Sequence, residues 1–109
     1  MASKREFAEF IVDQLRDAGS ITCKKMFGEY GIYCDGKFFA AVCDDQFFVK
    51  ITDAGRKLCP GLPEAPPYEG AKNYFLVEDV DDRELLTRLA AATCRELPEP
   101  KPKKRRAQP

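Results

Sequence analysis

Apolar positions in this chain recur with two periods, and the switch between them divides it into elements. In "REFAEFIVDQLRDAG", Phe7, Phe10, Ile11, Leu15 and Ala18 recur at helical spacing and form one stripe. Ser3 stands as a cap with Glu6 three residues on, and Gly19 follows as a stop, so the pattern predicts a helix over residues 4–18. From Ile21 the period shortens. "ITCKKMF" (21–27), "YGIYC" (30–34), "KFFAAVC" (37–43) and "QFFVKI" (46–51) are strand-length runs rich in β-branched and aromatic residues. Asp35-Gly36 is a two-residue hairpin signal, because a type I′ turn needs positive φ at both central positions. Asp44-Asp45 turns the chain again. The third run is apolar on both faces, as a central or covered strand would be.

"TDAGRKL" (52–58) has Thr52 as an N-cap candidate and predicts a turn or two of helix. Residues 59–72 hold four prolines and two glycines and read as a loop. "NYFLVE" (73–78) is a fifth strand. "DDRE" then opens the last helix, with Asp81 as cap, Glu84 three residues later and Val80 placed to staple onto Leu85. Leu85, Leu89, Ala92 and Leu97 form its expected buried stripe, and Pro98 marks its end. Strands joined by tight turns run antiparallel. The expected fold is α+β in two layers: an antiparallel sheet of about five strands, with the N- and C-terminal helices packed on one face. That domain spans residues 3–97. Residues 98–109, "PEPKPKKRRAQP", hold prolines and like charges that build no core and are expected to be disordered.

A chain of 109 residues is one small domain, and its mix of 44% hydrophobic and 33% charged residues is ordinary for a globular protein. The formal charge of zero conceals an uneven distribution. Residues 1–98 carry −4, and residues 99–109 carry +4. No stretch approaches the roughly 20 apolar residues of a membrane span. The opening "MASKREF" lacks the apolar run of a signal peptide, so a cytoplasmic protein with reduced thiols is expected.

Few residues suggest chemistry. "GEYG" (Gly28–Gly31) resembles in spacing the loops that clamp nucleic-acid backbone, but it joins two strands and carries Glu29, which repels phosphate. It reads as a bulge or bend between the first two strands. The five cysteines form no Cys-x-x-Cys pair and the chain has no histidine, which argues against common zinc sites and removes the usual base for a nucleophile. Cys23, Cys34, Cys43 and Cys94 are expected in the interior. Cys59, before Pro60, is the expected exposed thiol, with Arg56 and Lys57 near it. Phe38, Phe39, Phe47 and Phe48 read as core, while Tyr30, Tyr33, Tyr68 and Tyr74 are candidates to line a groove. In the tail, Lys101, Lys103, Lys104, Arg105 and Arg106 form a run that would attract phosphates.

The segment "KKMFGEYGIYCDGKFFAAVCDDQFFVKITDAGRKL" resembles the N-terminal domain of the TfoX (Sxy) competence-regulator family. The resemblance rests on Lys24, Lys25, Met26, Phe27, Gly28, Gly31, Asp35, Gly36, Phe39, Phe48 and Lys50, and "PPYEGAKNYFLVEDVDDRELLTRLAAA" continues it. It implies a small antiparallel α+β domain without catalytic activity, cofactor or metal. It implies a regulatory role exercised by protein contact, with the transcription machinery as partner. This chain is expected to be a stand-alone copy without the C-terminal helical domain of those regulators. Two alternatives stand beside that expectation: weak nucleic-acid binding through the tail, and a small-ligand or thiol site near Gly28–Gly31 and Cys59. The partner's identity, the oligomeric state and the strand order are left open.

Overall fold

The computed structural model describes residues 5–26 and 29–97. Helix α1 (Arg5–Gln14) runs into a 3-10 turn (Arg16–Ala18). Four strands follow: β1 (Ile21–Met26), β2 (Glu29–Cys34), β3 (Lys37–Cys43) and β4 (Gln46–Val49). Then come α2 (Asp53–Leu58), β5 (Glu64–Ala65), β6 (Tyr74–Val77) and α3 (Arg83–Glu96). All neighbouring strands are antiparallel, in the order β1-β2-β3-β4-β6-β5. The expected α+β fold is present, with six strands rather than five. The additional strand is a two-residue piece inside the proline-rich loop, too short to leave a period in the sequence.

The hairpins follow local chemistry. Asp35 and Gly36 take φ of 52° and 84°, and Asp44 and Asp45 take 54° and 58°. Aspartate tolerates this left-handed region better than most side chains. The β1–β2 pairing keeps one register from Ile21↔Cys34 to Met26↔Glu29. The irregularity lies one strand further in. Ile32 pairs with Ala40 but Tyr33 pairs with Phe38, so Phe39 is an extra residue in β3. The chain does reverse between β1 and β2 at the head of "GEYG", where Met26 pairs with Glu29, and the ladder irregularity at Phe39 is a separate feature that the sequence pattern did not predict. Gly31 sits inside β2, between Lys24 and Ala41. Phe27 and Gly28 lie outside the described residues, as do Ser3 and the whole tail, including Lys101, Lys103, Lys104, Arg105 and Arg106.

One sheet face is covered. Ile11 and Leu15 from the N-terminal segment and Leu86, Leu89, Ala90 and Cys94 from α3 pack onto Ile32, Phe39, Ala40, Val42, Phe47, Val49, Phe75 and Val77. The bulge places both Phe39 and Ala40 in this core, each at 0% exposure. Of the expected α3 stripe, Leu89 is buried and Leu85 and Leu97 pack half-buried against the core, while full burial falls on Leu86, Leu89, Ala90, Thr93 and Cys94. The helix is capped by Asp82, one residue later than expected, whose carboxylate accepts the Leu85 N–H at 3.0 Å. Asp82 thus satisfies an otherwise orphaned amide of the first turn. On α1, the expected stripe residue Phe10 is 38% exposed, and Gln14 is buried instead. The Gln14 amide donates to the Val80 carbonyl at 2.9 Å, and the Thr87 hydroxyl donates to the Gln14 carbonyl at 3.3 Å. These bonds tie the end of α1 to the start of α3.

Helix α2 is short and approaches closely. Its N-cap Thr52 accepts the Gly55 N–H at 3.0 Å. A Cβ on Gly55 would stand 2.9 Å from Phe75 Cε2 and 3.3 Å from Leu89 Cδ1. The glycine is there for proximity rather than for an unusual φ. Among the described residues, no helix is long and apolar enough to cross a membrane.

Candidate functional site

Among the described residues, no helix packs on the opposite sheet face. Its small core is Ala41, Cys43 and Phe48, with Phe38, Ala65, Tyr74 and Leu76 packed around it. Period-two alternation puts these side chains opposite the helix-covered set. Gly31 and Ala41 are directly paired and supply almost no side-chain bulk, so the sheet is low there. A groove of about 560 Å³ opens over Ala41 and Cys43. Phe38 and Tyr74 wall it, and Pro67 and Tyr68 of the loop at residues 66–72 arch over it. That loop turns on an Ala71 N–H to Tyr68 carbonyl bond of 3.1 Å. Tyr68 is 64% exposed, an outlying aromatic edge to the groove. Glu29 and Tyr30 close the far end, where the Glu29 carboxylate accepts the Asp44 N–H at 3.2 Å.

Lysines and rings alternate across this face. The Lys24 ammonium lies 5.5 Å from the Tyr33 ring centre. Tyr33 packs against Phe38 at 5.4 Å with the rings tilted by 54°. The Lys50 ammonium lies 5.0 Å from the Phe38 ring centre. Cations over ring faces at this distance are attracted by the quadrupole. Among the described residues no carboxylate stands within ion-pair distance of Lys50. Burial lowers the Lys50 pKa, and the neighbouring Lys72 charge lowers it further. Burial raises the Tyr74 pKa, helped by Tyr68 and Cys43. The Cys43 thiol is pushed up to about 11 by burial, then by Glu29 and Asp44. At neutral pH the groove therefore presents apolar surface, a neutral phenol and thiol, and cations at one end.

The sequence-derived residues separate on this map. Lys50 belongs to the groove's surroundings and Gly31 to its low floor. Asp35 and Gly36 build a hairpin at the other end of β2, and the Asp35 carboxylate accepts the Ser20 N–H at 3.0 Å. Met26 ends β1. Tyr68 and Tyr74 line the groove as expected. Tyr30 borders it but also packs against the helix-side core, and Tyr33 stands beside it. The expected exposed thiol is corrected: Cys59 is buried at 9% exposure in the helix-side core, and Cys23 on the edge strand is exposed. Burial raises the Cys59 pKa, with Asp82 adding to it, which is the opposite of thiolate activation. Cys23 lines an open cleft between edge strand β1 and α1 with Ala8, Glu9 and Val12, so its inward position in the alternation does not seal it from water.

A second cluster had no signature in the sequence. The Cys34 and Cys94 sulfurs and an Asp35 oxygen all lie within 4.8 Å of one another. The Cys94 thiol donates to the Cys34 carbonyl at 3.3 Å, and the Lys37 ammonium donates to the Cys94 carbonyl at 3.1 Å. Burial, then the Cys94 hydrogen bond and charge, pushes the Cys34 thiol up to about 12. These contacts fasten the last turn of α3 to β2 and β3. The residues are separated by 60 positions, so only folding unites them.

Comparisons with known proteins agree with this architecture. A model of the TfoX N-terminal domain matches residues 13–97. The chain is 37% identical over 105 residues to an uncharacterized 12.7 kDa protein in the trpE 5′ region of Spirochaeta aurantia, covering 95% of this chain and 91% of that one. The matched segment runs from the last two residues of α1 through α3, and so contains the whole sheet. This chain therefore belongs to the TfoX N-terminal domain family.

Proposed function

We propose that this domain is a non-catalytic regulatory module that acts by contact with a protein partner through the open face of its sheet. The observation that carries the reading is the asymmetry of the sheet. One face is sealed by helices, while the other leaves Tyr33, Phe38, Tyr68 and Tyr74 accessible beside Lys24 and Lys50. Aromatic residues are enriched at protein contact sites, and charged residues are kept to a polar rim. The TfoX N-terminal domain family is a regulatory one, which favours the transcription machinery as partner. A cytoplasmic setting accords with the free cysteines.

Transcript profiles test this directly. A strain deleted for the gene is compared with one carrying Lys24→Glu and Tyr33→Ala, both surface substitutions outside the helix-side core. The expected result is that both strains shift the same set of transcripts. An unchanged transcript profile in the deletion strain would overturn the regulatory reading. A shift in the deletion strain alone would remove the open face from it.

The basic run from Lys101 to Arg106 supports an auxiliary, sequence-independent attraction to nucleic acid. DNA titrations at low and high salt, with and without residues 99–109, are expected to show salt-sensitive binding only in the full chain. Equal binding by the truncated chain would exclude the tail.

A further inference from the structure

We propose that the open-face groove is a binding site for a small organic anion: a carboxylate borne on a flat apolar body. The body lies over Ala41 and Cys43 between Phe38 and Tyr74, and the carboxylate meets Lys50 and Lys72. The inference goes beyond the regulatory reading and is tested without reference to it.

Three observations carry it. The groove's volume of about 560 Å³ is that of a small-molecule site. Its floor is low because Gly31, Ala41 and Cys43 are small where flanking positions of the sheet carry Phe38, Phe48 and Tyr74. Filling that space would bury apolar surface. Second, the charge at the site is one-sided. Lys50 is half-buried, has no carboxylate within ion-pair distance among the described residues, and is close enough to Lys72 to feel its charge. Two like charges held together without a counterion are stabilised when an anion arrives. The acid of the groove, Glu29, closes the other end and is already engaged with the Asp44 N–H. Third, the loop at residues 66–72 roofs one side through Pro67 and Tyr68. A single nucleic-acid strand crossing the sheet would meet that roof. The two rings beside the groove, tilted by 54°, also do not form the successive parallel platforms that stacked bases use. These features favour a compact ligand over a polymer.

The test uses the full chain and two fluorescent probes of one shape. Anilinonaphthalene sulfonate is anionic; phenylnaphthylamine is its neutral parent. Titrations are paired with amide chemical-shift mapping. The anionic probe is expected to bind one site at least about tenfold more tightly than the neutral one, as a local cation pair requires. Its shifts are expected to centre on Phe38, Ala41, Cys43, Lys50 and Tyr74. Lys50→Met is expected to abolish most of the preference while leaving neutral-probe binding in place. Ala41→Phe, which fills the floor, is expected to abolish both. Should Ala41→Phe fail to fold, Lys50→Met still decides the matter. Equal affinity for the two probes, no response to Lys50→Met, or shifts centred elsewhere would overturn the proposal. So would displacement of the anionic probe by a short oligothymidylate with shifts running through Lys24, which would assign the face to single-stranded nucleic acid.

Discussion

The two faces of the sheet are made from the same strands and the same kinds of residue, yet they do different work. On the closed face, Phe39, Phe47 and Phe75 are at most 2% exposed and interlock with α1 and α3. On the open face, Phe38 is half-buried and serves as a platform for a lysine. Adjacent residues in β3 thus belong to separate economies: Phe39 holds the fold together, and Phe38 shapes a surface. The difference lies in what covers each face. Two amphipathic helices exclude water from one side, while a proline-rich loop only partly shelters the other.

The sharpest way to break this comparison is to truncate the neighbours one at a time. Phe39→Ala is expected to lower unfolding free energy by about 3–5 kcal/mol, the cost of a large cavity in a filled core. Phe38→Ala is expected to cost about 1 kcal/mol, because water already reaches the ring. Urea midpoints of the two variants measure the contrast, and equal losses would refute it.

Gly55→Ala probes the closed side next. The added methyl meets Phe75 Cε2 at 2.9 Å, against a buried ring that has no room to retreat. Overpacking is expected to outweigh the gain in helix propensity, for a net loss of about 2 kcal/mol. A thermal midpoint at or above that of the parent would show that α2 lifts away freely.

Alkaline titration samples both sides at once. The Cys34 thiol faces the helix side and Cys43 the groove side, and their folded pKa values of about 12 and about 11 lie above the ordinary 9.0. A raised folded pKa favours the protonated native state. The associated stability is complete below pH 9.0 and declines as pH rises toward those folded values. Each thiol is expected to contribute a slope of at most about 1.4 kcal/mol per pH unit in that window. Cys43→Ser is expected to make the decline shallower without removing it. A urea midpoint that stays flat above pH 9.0 would contradict the burial of both thiols.

The smallest effect comes from a polar atom within the closed side. Thr93 is at 0% exposure and its hydroxyl has no hydrogen-bond partner among the described residues. Replacing that hydroxyl by a methyl removes a desolvated polar group, so Thr93→Val is expected to gain about 1 kcal/mol. A loss of stability would show that the hydroxyl does find a partner.

Much of the closed face was legible in the residues. Phe47 and Val49 alternate as a half-buried strand should, and Asp35-Gly36 and Asp44-Asp45 mark turns whose left-handed φ values the structure bears out. The errors came where burial depends on a distant neighbour. Cys59 follows two basic residues and precedes a proline, signals of exposure, yet α2 carries it into the core. The last helix buries Leu86 fully and leaves Leu85 half-buried at the core's margin. Its cap falls on Asp82, and adjacent aspartates offered two starting registers only one residue apart. The bulge at Phe39 escaped notice because no glycine marks it. The groove was legible only in part. The tyrosines suggested one, but nothing local showed that Gly31 and Ala41 would pair to form its floor.

Local sequence determined the elements, their turns and the antiparallel pairing of consecutive strands. These rest on backbone preferences and periodicities that span a few residues. Tertiary structure alone decided which face the helices would seal, which thiols they would bury, and that the Lys50 ammonium would stand beside the Phe38 wall of an apolar groove. Each of those outcomes depends on water being excluded by segments remote in the chain, and exclusion exists only once the layers have packed.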